Sequence, residues 1–295
     1  MAMLDARSWD EIVETRVRRP GAVTEASERR TQPKDLVGEG GRMMLVAADH
    51  PARGALRAGD DAMAMADRRL LLQRLCQALA RPGVDGVLAT ADVLEDLLLL
   101  GALDGKVVIA SMNRGGLAGT AFEIDDRFTA YTAAAVEAMG WQGGKMLVRI
   151  DPEDRATAPT LEAAARAVDD LAERRLLAMV EPFICHRHDG RVHNDLSTEA
   201  VVRSCTVAAG LGSTSAYTWL KLPVVPDMEQ VLSATSLPVV LLGGEVNPDQ
   251  SGTFQTWHEA LRHPTARGLV VGRSLLFPSD GDVEQAVDGA VRLLG

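Results

Sequence analysis

The chain has 295 residues, 46% of them hydrophobic and 24% charged, which excludes a disordered, collagen-like or coiled-coil protein. Its net charge of −10 argues against a nucleic-acid partner or a polybasic membrane contact, yet leaves room for an anionic small molecule at a locally positive site. No apolar run reaches the ~18 residues of a membrane span, residues 1–20 lack the apolar core of a secretory signal, and Cys76, Cys185 and Cys205 are odd in number without zinc-like spacing, so a reduced, cytoplasmic protein is expected.

Residues 1–42 precede the first strand-like run. A helix is expected over residues 9–17, then a polar stretch with Pro and Gly, and this N-terminal extension is expected to cross the barrel bottom or extend an edge. From residue 43 onward, short apolar β-rich runs alternate with longer helical patterns. Strands are expected at 43–48, 86–90, 107–112, 145–150, 177–183, 217–222, 239–242 and 268–271. Helices are expected at 61–80, 126–139, 160–174, 198–209, 253–262 and 283–294. Strands that are apolar along their whole length belong to a parallel sheet covered on both faces. Eight such units over residues 43–295 predict an α/β protein, a (β/α)8 TIM barrel. An open doubly wound sheet would carry a Gly-x-Gly-x-x-Gly turn after its first strand, where this chain has Ala47-Ala48-Asp49-His50-Pro51.

A barrel places its active site at the C-terminal strand ends, which turns the strand positions into candidate residues. The first strand ends at Asp49, the fourth carries Lys145 and Arg149, the fifth Glu181 and the sixth Lys221. Only four of the 31 basic residues are lysines, so a lysine within an apolar strand calls for a reason. An amine flanked by Trp219, Leu220 and Leu222 loses solvation when charged, which favours its neutral, nucleophilic form. Such an amine forms a Schiff base with a ketone or aldehyde, and the iminium draws electrons from an adjacent C–C bond. Asp49 and Glu181 suit the proton transfers, and Lys145 would lower the neighbouring amine further. The structural alternatives are a strand-end Lys221 that reaches water and a Lys145 paired with Glu181. Gly243-Gly244 and Gly272-Arg273 end the seventh and eighth strands, where barrels often hold phosphate on backbone amides.

Cys185-His186-Arg187-His188 with His193 resembles a metal cluster, but Arg187 and Arg191 lie in the same segment and no acid falls at ligand spacing. A polar surface loop without metal is expected there. His50 reads as local scaffolding or a substrate contact, and Trp9, Trp141 and Trp257 as packing residues.

In chain order, Asp49, Lys145, Val180-Glu181-Pro182, Leu220-Lys221, Leu242-Gly243-Gly244 and Gly272-Arg273 resemble the class I, Schiff-base-forming aldolase superfamily. More closely, the stretches 111–116, 212–223 and 268–273 resemble an aldolase-like barrel family associated with myo-inositol catabolism and often described as deoxyribose-phosphate aldolases. The resemblance implies a Schiff base on Lys221, with Lys145 tuning it and Glu181 and Asp49 carrying protons. It implies phosphate contacts from Gly243, Gly244, Gly272 and Arg273, and substrate or phosphate contacts from Arg114 and Arg149. No cofactor or metal is implied; the expected partner is a small-molecule sugar phosphate, and a homo-oligomer is expected. The implied reaction is retro-aldol cleavage of 6-phospho-5-dehydro-2-deoxygluconate to dihydroxyacetone phosphate and malonate semialdehyde. Deoxyribose-5-phosphate cleavage and a non-catalytic sugar-phosphate-binding barrel are the alternatives.

Overall fold

The computed structural model describes residues 6–38, 40–244 and 250–295. Its strands are β1 (Met43–Ala48), β2 (Gly86–Ala89), β3 (Val107–Ser111), β4 (Gly143–Ile150), β5 (Leu177–His188), β6 (Arg191–Asn194), β7 (Thr218–Leu222), β8 (Val239–Leu242) and β9 (Ala266–Val271). The helices are α1 (Ala6–Arg18), α2 (Ala22–Arg29), α3 (Arg68–Leu79), α4 (Ala91–Leu99), α5 (Ala133–Ala138), α6 (Thr157–Glu173), α7 (Thr198–Ala209), α8 (Met228–Leu232), α9 (Gln250–Ala260), α10 (Arg273–Leu276) and α11 (Val283–Val291).

All strands but β6 run parallel in the order β4-β3-β2-β1-β9-β8-β7-β5, and β4 also pairs with β5, which closes the sheet into the expected barrel of eight. Because strand side chains alternate, each apolar strand serves two cores. One set, including Leu45, Leu88, Ile109, Met179, Val240 and Val270, fills the interior. The other set, including Val46, Val87, Val108 and Val180, meets the helices. No described helix is long and apolar enough to cross a membrane.

Several elements depart from the sequence expectation, each for a local reason. The helix expected over 61–80 starts only at Arg68, because Asp67 caps it by accepting from the Leu70 amide. The helix expected over 126–139 shrinks to α5, capped by Thr132, because Asn113 and Asp126 hydrogen-bond the preceding segment as a folded loop. The segment 185–194, expected as a polar loop, is instead an antiparallel hairpin in which β5 runs past the barrel and pairs with β6.

The N-terminal segment forms α1 and α2 rather than one helix. Arg16 pairs with Asp96 of α4 at 2.7 Å, and Ser27 Oγ donates to the Met139 carbonyl. Arg30 lies over the Trp141 ring and donates to the carbonyls of Leu103, Lys106 and Gly140. Those carbonyls sit just before β3 and β4, so Arg30 ties the N-terminal segment to the barrel end opposite the strand C-termini.

Candidate active site

The two-residue period of the strands builds the site. On β1 the inward residues Met43, Leu45 and Ala47 lead to Asp49, and on β3 Val107 and Ile109 lead to Ser111. The same parity puts Lys145 of β4, Glu181 of β5 and Lys221 of β7 inside, one layer above the apolar plug. Leu220 and Leu222 point the other way, into the helix-facing core. The setting of Lys221 is therefore not the apolar one that its sequence neighbours suggested, because alternate residues of a strand face opposite sides. Its amine lies 2.9 Å from Glu181 Oε1.

Glu181 bridges the two lysines, since its Oε2 pairs with Lys145 Nζ. Lys145 reaches on to Asp49 Oδ2 at 3.1 Å, and Arg114 Nη2 meets the same oxygen at 2.7 Å. Ser111 Oγ donates to Asp49 Oδ2 at 3.3 Å and accepts from Arg114 Nε at 2.8 Å. Lys145, Asp49 and Lys221 are at most 3% exposed, and Glu181 is 8% exposed. Three cations thus face two carboxylates in one buried layer, which leaves a positive excess in an acidic protein.

This arrangement sets the protonation states. Burial alone would raise Glu181, but the charges of Lys145 and Lys221 override it and hold the carboxyl down to about 2. Asp49 likewise stays well below the usual range, against its burial, because of Arg114 and Lys145. Burial pushes Lys145 below its ordinary value even with Asp49 and Glu181 opposing. Desolvation also pushes His50 down to about 3, so its ring is neutral near pH 7.

The glycine pairs lie at the same end of the barrel, on neighbouring strands. A Cβ on Gly272 would stand 2.5 Å from the Ala47 carbonyl oxygen, and Gly244 follows β8 with a φ of +65°. Arg273 opens α10 beside them, and its Nη1 is 3.5 Å from the Arg57 carbonyl.

Two expected substrate contacts are engaged within the protein. Arg114 is held by Asp49 and Ser111, so it belongs to the lysine layer rather than to a separate phosphate site. Arg149 faces inward higher on β4, but its guanidinium pairs with Glu123 and donates to the Gly116 carbonyl. Arg53 pairs with the same carboxylate at 3.3 Å, and Asp126 lies 3.7 Å from Arg149 Nη2. Arg149 thus anchors the 112–132 loop. Sequence reasoning missed Ser111, Arg53, Glu123 and Asp126; the alternation that flagged Asp49 also marks Ser111, two residues beyond Ile109.

On the hairpin, His186 and His193 stand opposite each other with ring centroids 6.1 Å apart, both exposed. Among the described residues, no group of three His, Cys, Asp or Glu side chains is placed to hold a metal ion. All three cysteines are buried free thiols. A cavity of about 410 Å³ lies outside the barrel, between the 125–133 segment and α6, apart from the lysine layer.

A family profile described as Cgl0159-like matches residues 41–291. The structure of Cgl0159 from Corynebacterium glutamicum shares 51% sequence identity over 98% of this chain and 97% of its own, with a TM-score of 0.96. An archaeal fructose 1,6-bisphosphate aldolase shares 20% identity over 92% of this chain and 98% of its own, with a TM-score of 0.65. An archaeal fructose-1,6-bisphosphate aldolase with its catalytic Lys covalently bound to the carbinolamine intermediate shares 19% identity, covering 92% and 99%, with a TM-score of 0.62. At such identities the aldolases share the fold. None of the curated proteins matches the chain.

Proposed function

Because the chain belongs to the Cgl0159-like family, whose name carries no reaction, its chemistry must come from the site, and we propose that it is a class I aldolase with Lys221 as the Schiff-base residue. The observation that carries this reading is the buried chain Lys221–Glu181–Lys145–Asp49 at the C-terminal end of the barrel. A fold neighbour whose catalytic lysine bears a carbinolamine supports it.

The steps follow from the contacts. Lys221 must lose a proton to attack a carbonyl carbon, and Glu181 is the acceptor at 2.9 Å. Once Lys221 is consumed in a carbinolamine, Glu181 faces one cation fewer, so its affinity for a proton rises. It can then return that proton to the carbinolamine hydroxyl, which leaves as water and yields the iminium. A carboxylate, Asp49, removes the proton of the substrate hydroxyl carried by the far carbon of the scissile bond. The O–H electrons form the aldehyde, and the C–C pair moves into the iminium as an enamine. Protonation of the enamine carbon and hydrolysis release the ketone and restore Lys221. Lys145 stays charged between Asp49 and Glu181 and holds both ionised before the substrate arrives.

The glycines beside β8 and β9, with Arg273, are the proposed phosphate site, one strand or two along from Lys221. A short reach from imine carbon to phosphate suits a dihydroxyacetone phosphate fragment. The proposed substrate is 6-phospho-5-dehydro-2-deoxygluconate. In the deoxyribose-5-phosphate alternative, the lysine keeps an acetaldehyde unit and the phosphate departs. Steady-state cleavage of both compounds decides. Release of dihydroxyacetone phosphate and malonate semialdehyde from the first is expected, whereas exclusive cleavage of deoxyribose-5-phosphate would replace the assignment.

A further inference from the structure

Asp49, which follows β1, and Ser111, which ends β3, are separated by β2. That strand sends the carboxylate no partner: it ends at Ala89, and the hydroxyl of the next residue, Thr90, donates to Asp92 Oδ1. Ser111 and Arg114 reach across it instead. Ser111 is fully buried, and its Oγ accepts from Arg114 Nε at 2.8 Å and donates to Asp49 Oδ2 at 3.3 Å. Arg114 Nη2 lies 2.7 Å from the same oxygen, as an ion pair without hydrogen-bond alignment. The backbone of Arg114 is pinned on both sides. The Asn113 side chain accepts from the Leu147 amide at 2.8 Å, and the Gly115 amide donates to the Arg127 carbonyl at 3.1 Å.

The two oxygens of Asp49 are therefore unlike. Oδ2 faces Lys145 Nζ at 3.1 Å as well as Ser111 and Arg114, which engages both of its lone pairs. Oδ1 accepts no hydrogen bond among the described residues, and unlike His50 Nδ1, 3.7 Å away, it is not sealed from solvent. A proton arriving on Oδ2 must displace a donor or a cation, whereas Oδ1 can take one directly.

We propose that Arg114 is a positioning residue: with Ser111 it pins Asp49 through Oδ2 and so presents Oδ1 as the oxygen that takes the substrate's hydroxyl proton. The inference rests on the aldolase reading above. In cleavage Oδ1 forms the new O–H bond, the substrate's O–H pair becomes the second C–O bond of the aldehyde, and the C–C pair moves to the iminium on Lys221. Arg114 touches no reacting atom and acts through Asp49, by orientation and by charge. Burial opposes the ionisation of Asp49, and of the groups that counter it Arg114 does most, ahead of Lys145, His50 and Lys221.

Charge and orientation give the test two separable readouts. Cleavage of 6-phospho-5-dehydro-2-deoxygluconate, or of deoxyribose-5-phosphate if that is the compound wild type cleaves, needs ionised Asp49. Cyanoborohydride trapping on Lys221 of dihydroxyacetone phosphate, or of acetaldehyde in the second case, needs no C–C step. In Arg114→Met the acid limb of cleavage is expected to move up by roughly 1–3 pH units, the effect of one nearby cation on a carboxyl, while trapping at each pH stays within about twofold of wild type. Arg114→Lys restores a cation but not the guanidinium fork. It is expected to return most of the limb's shift yet cleave about tenfold more slowly than wild type. Ser111→Ala deletes one oxygen and no charge, and it carries the test if Arg114→Met does not fold. Its cleavage should fall about three- to tenfold with trapping unchanged. An unmoved acid limb in Arg114→Met, or equal changes in trapping and cleavage for any of these variants, overturns the proposal. A wild type that forms the adduct but cleaves neither sugar phosphate overturns the aldolase reading and this inference together. A wild type with no adduct on Lys221 overturns the Schiff base, and this inference with it.

Discussion

Glu181 sits between two lysines, and that position decides both its charge and its worth to the fold. Its folded value of about 2 lies below the ordinary 4.5, so its contribution is fully present above pH 4.5 and is lost as pH falls towards 2. The shift corresponds to an upper value on the order of 3 kcal/mol. Glu181→Gln should therefore lower unfolding free energy near pH 7 and make its decline between pH 4.5 and 2 shallower, with Asp49 and other carboxylates that the fold holds low, such as Asp92 and Asp288, supplying the acid dependence that remains. Urea denaturation across that range checks this; parallel curves for wild type and variant would contradict it. At this scale the sequence was legible where parity and residue type coincided: Asp49, Lys145, Glu181 and Lys221 converge because each continues an inward-facing series. It misled where linear neighbours stood in for spatial ones, as with Leu220 and Leu222 around Lys221. The ties of Arg114 and Arg149 were hidden because they depend on the path of a loop, which no strand period encodes.

The 112–132 loop is the element that the sequence described least well. A helix was expected from residue 126 onward and no structure between 112 and 126, but Asn113 accepts from the Leu147 amide as an extra strand residue would, and Asp126 accepts from the Gly116 amide. Arg149 and Arg53 then fasten Glu123 from two different elements. Removing one partner of such a buried set leaves a charge poorly compensated, which typically costs about 3–5 kcal/mol. Arg149→Met is expected to destabilise towards the lower end of that range, since Arg53 still faces Glu123. Amide exchange in residues 114–130 should accelerate more than in β2 or β9. Unchanged exchange in that segment would show that the loop holds without this anchor. The strands themselves were easier to place, because near-continuous Val, Leu, Ile and Ala runs have few other uses. Only the β5 extension and its partner β6 were missed, where His186, Arg187 and His188 alternate across a hairpin that leaves the barrel.

At the scale of the whole molecule, a chain of net charge −10 concentrates a positive excess at one end of its barrel. Lys145, Lys221 and Arg114 outnumber Asp49 and Glu181 there, in a layer excluded from water, where charge acts strongly on an anionic ligand. The eightfold alternation of strands and helices made the barrel readable, and the barrel in turn explains why residues far apart in sequence meet. The central claim is that Lys221, rather than Lys145, is the nucleophile of this layer. The direct measurement is borohydride reduction with dihydroxyacetone phosphate, followed by peptide mass mapping of wild type and Lys221→Met. The predicted result is a reduced three-carbon phosphate adduct on Lys221 alone, absent from Lys221→Met although that variant remains folded. An adduct on Lys145, or none with any keto or aldehyde phosphate, would contradict the assignment.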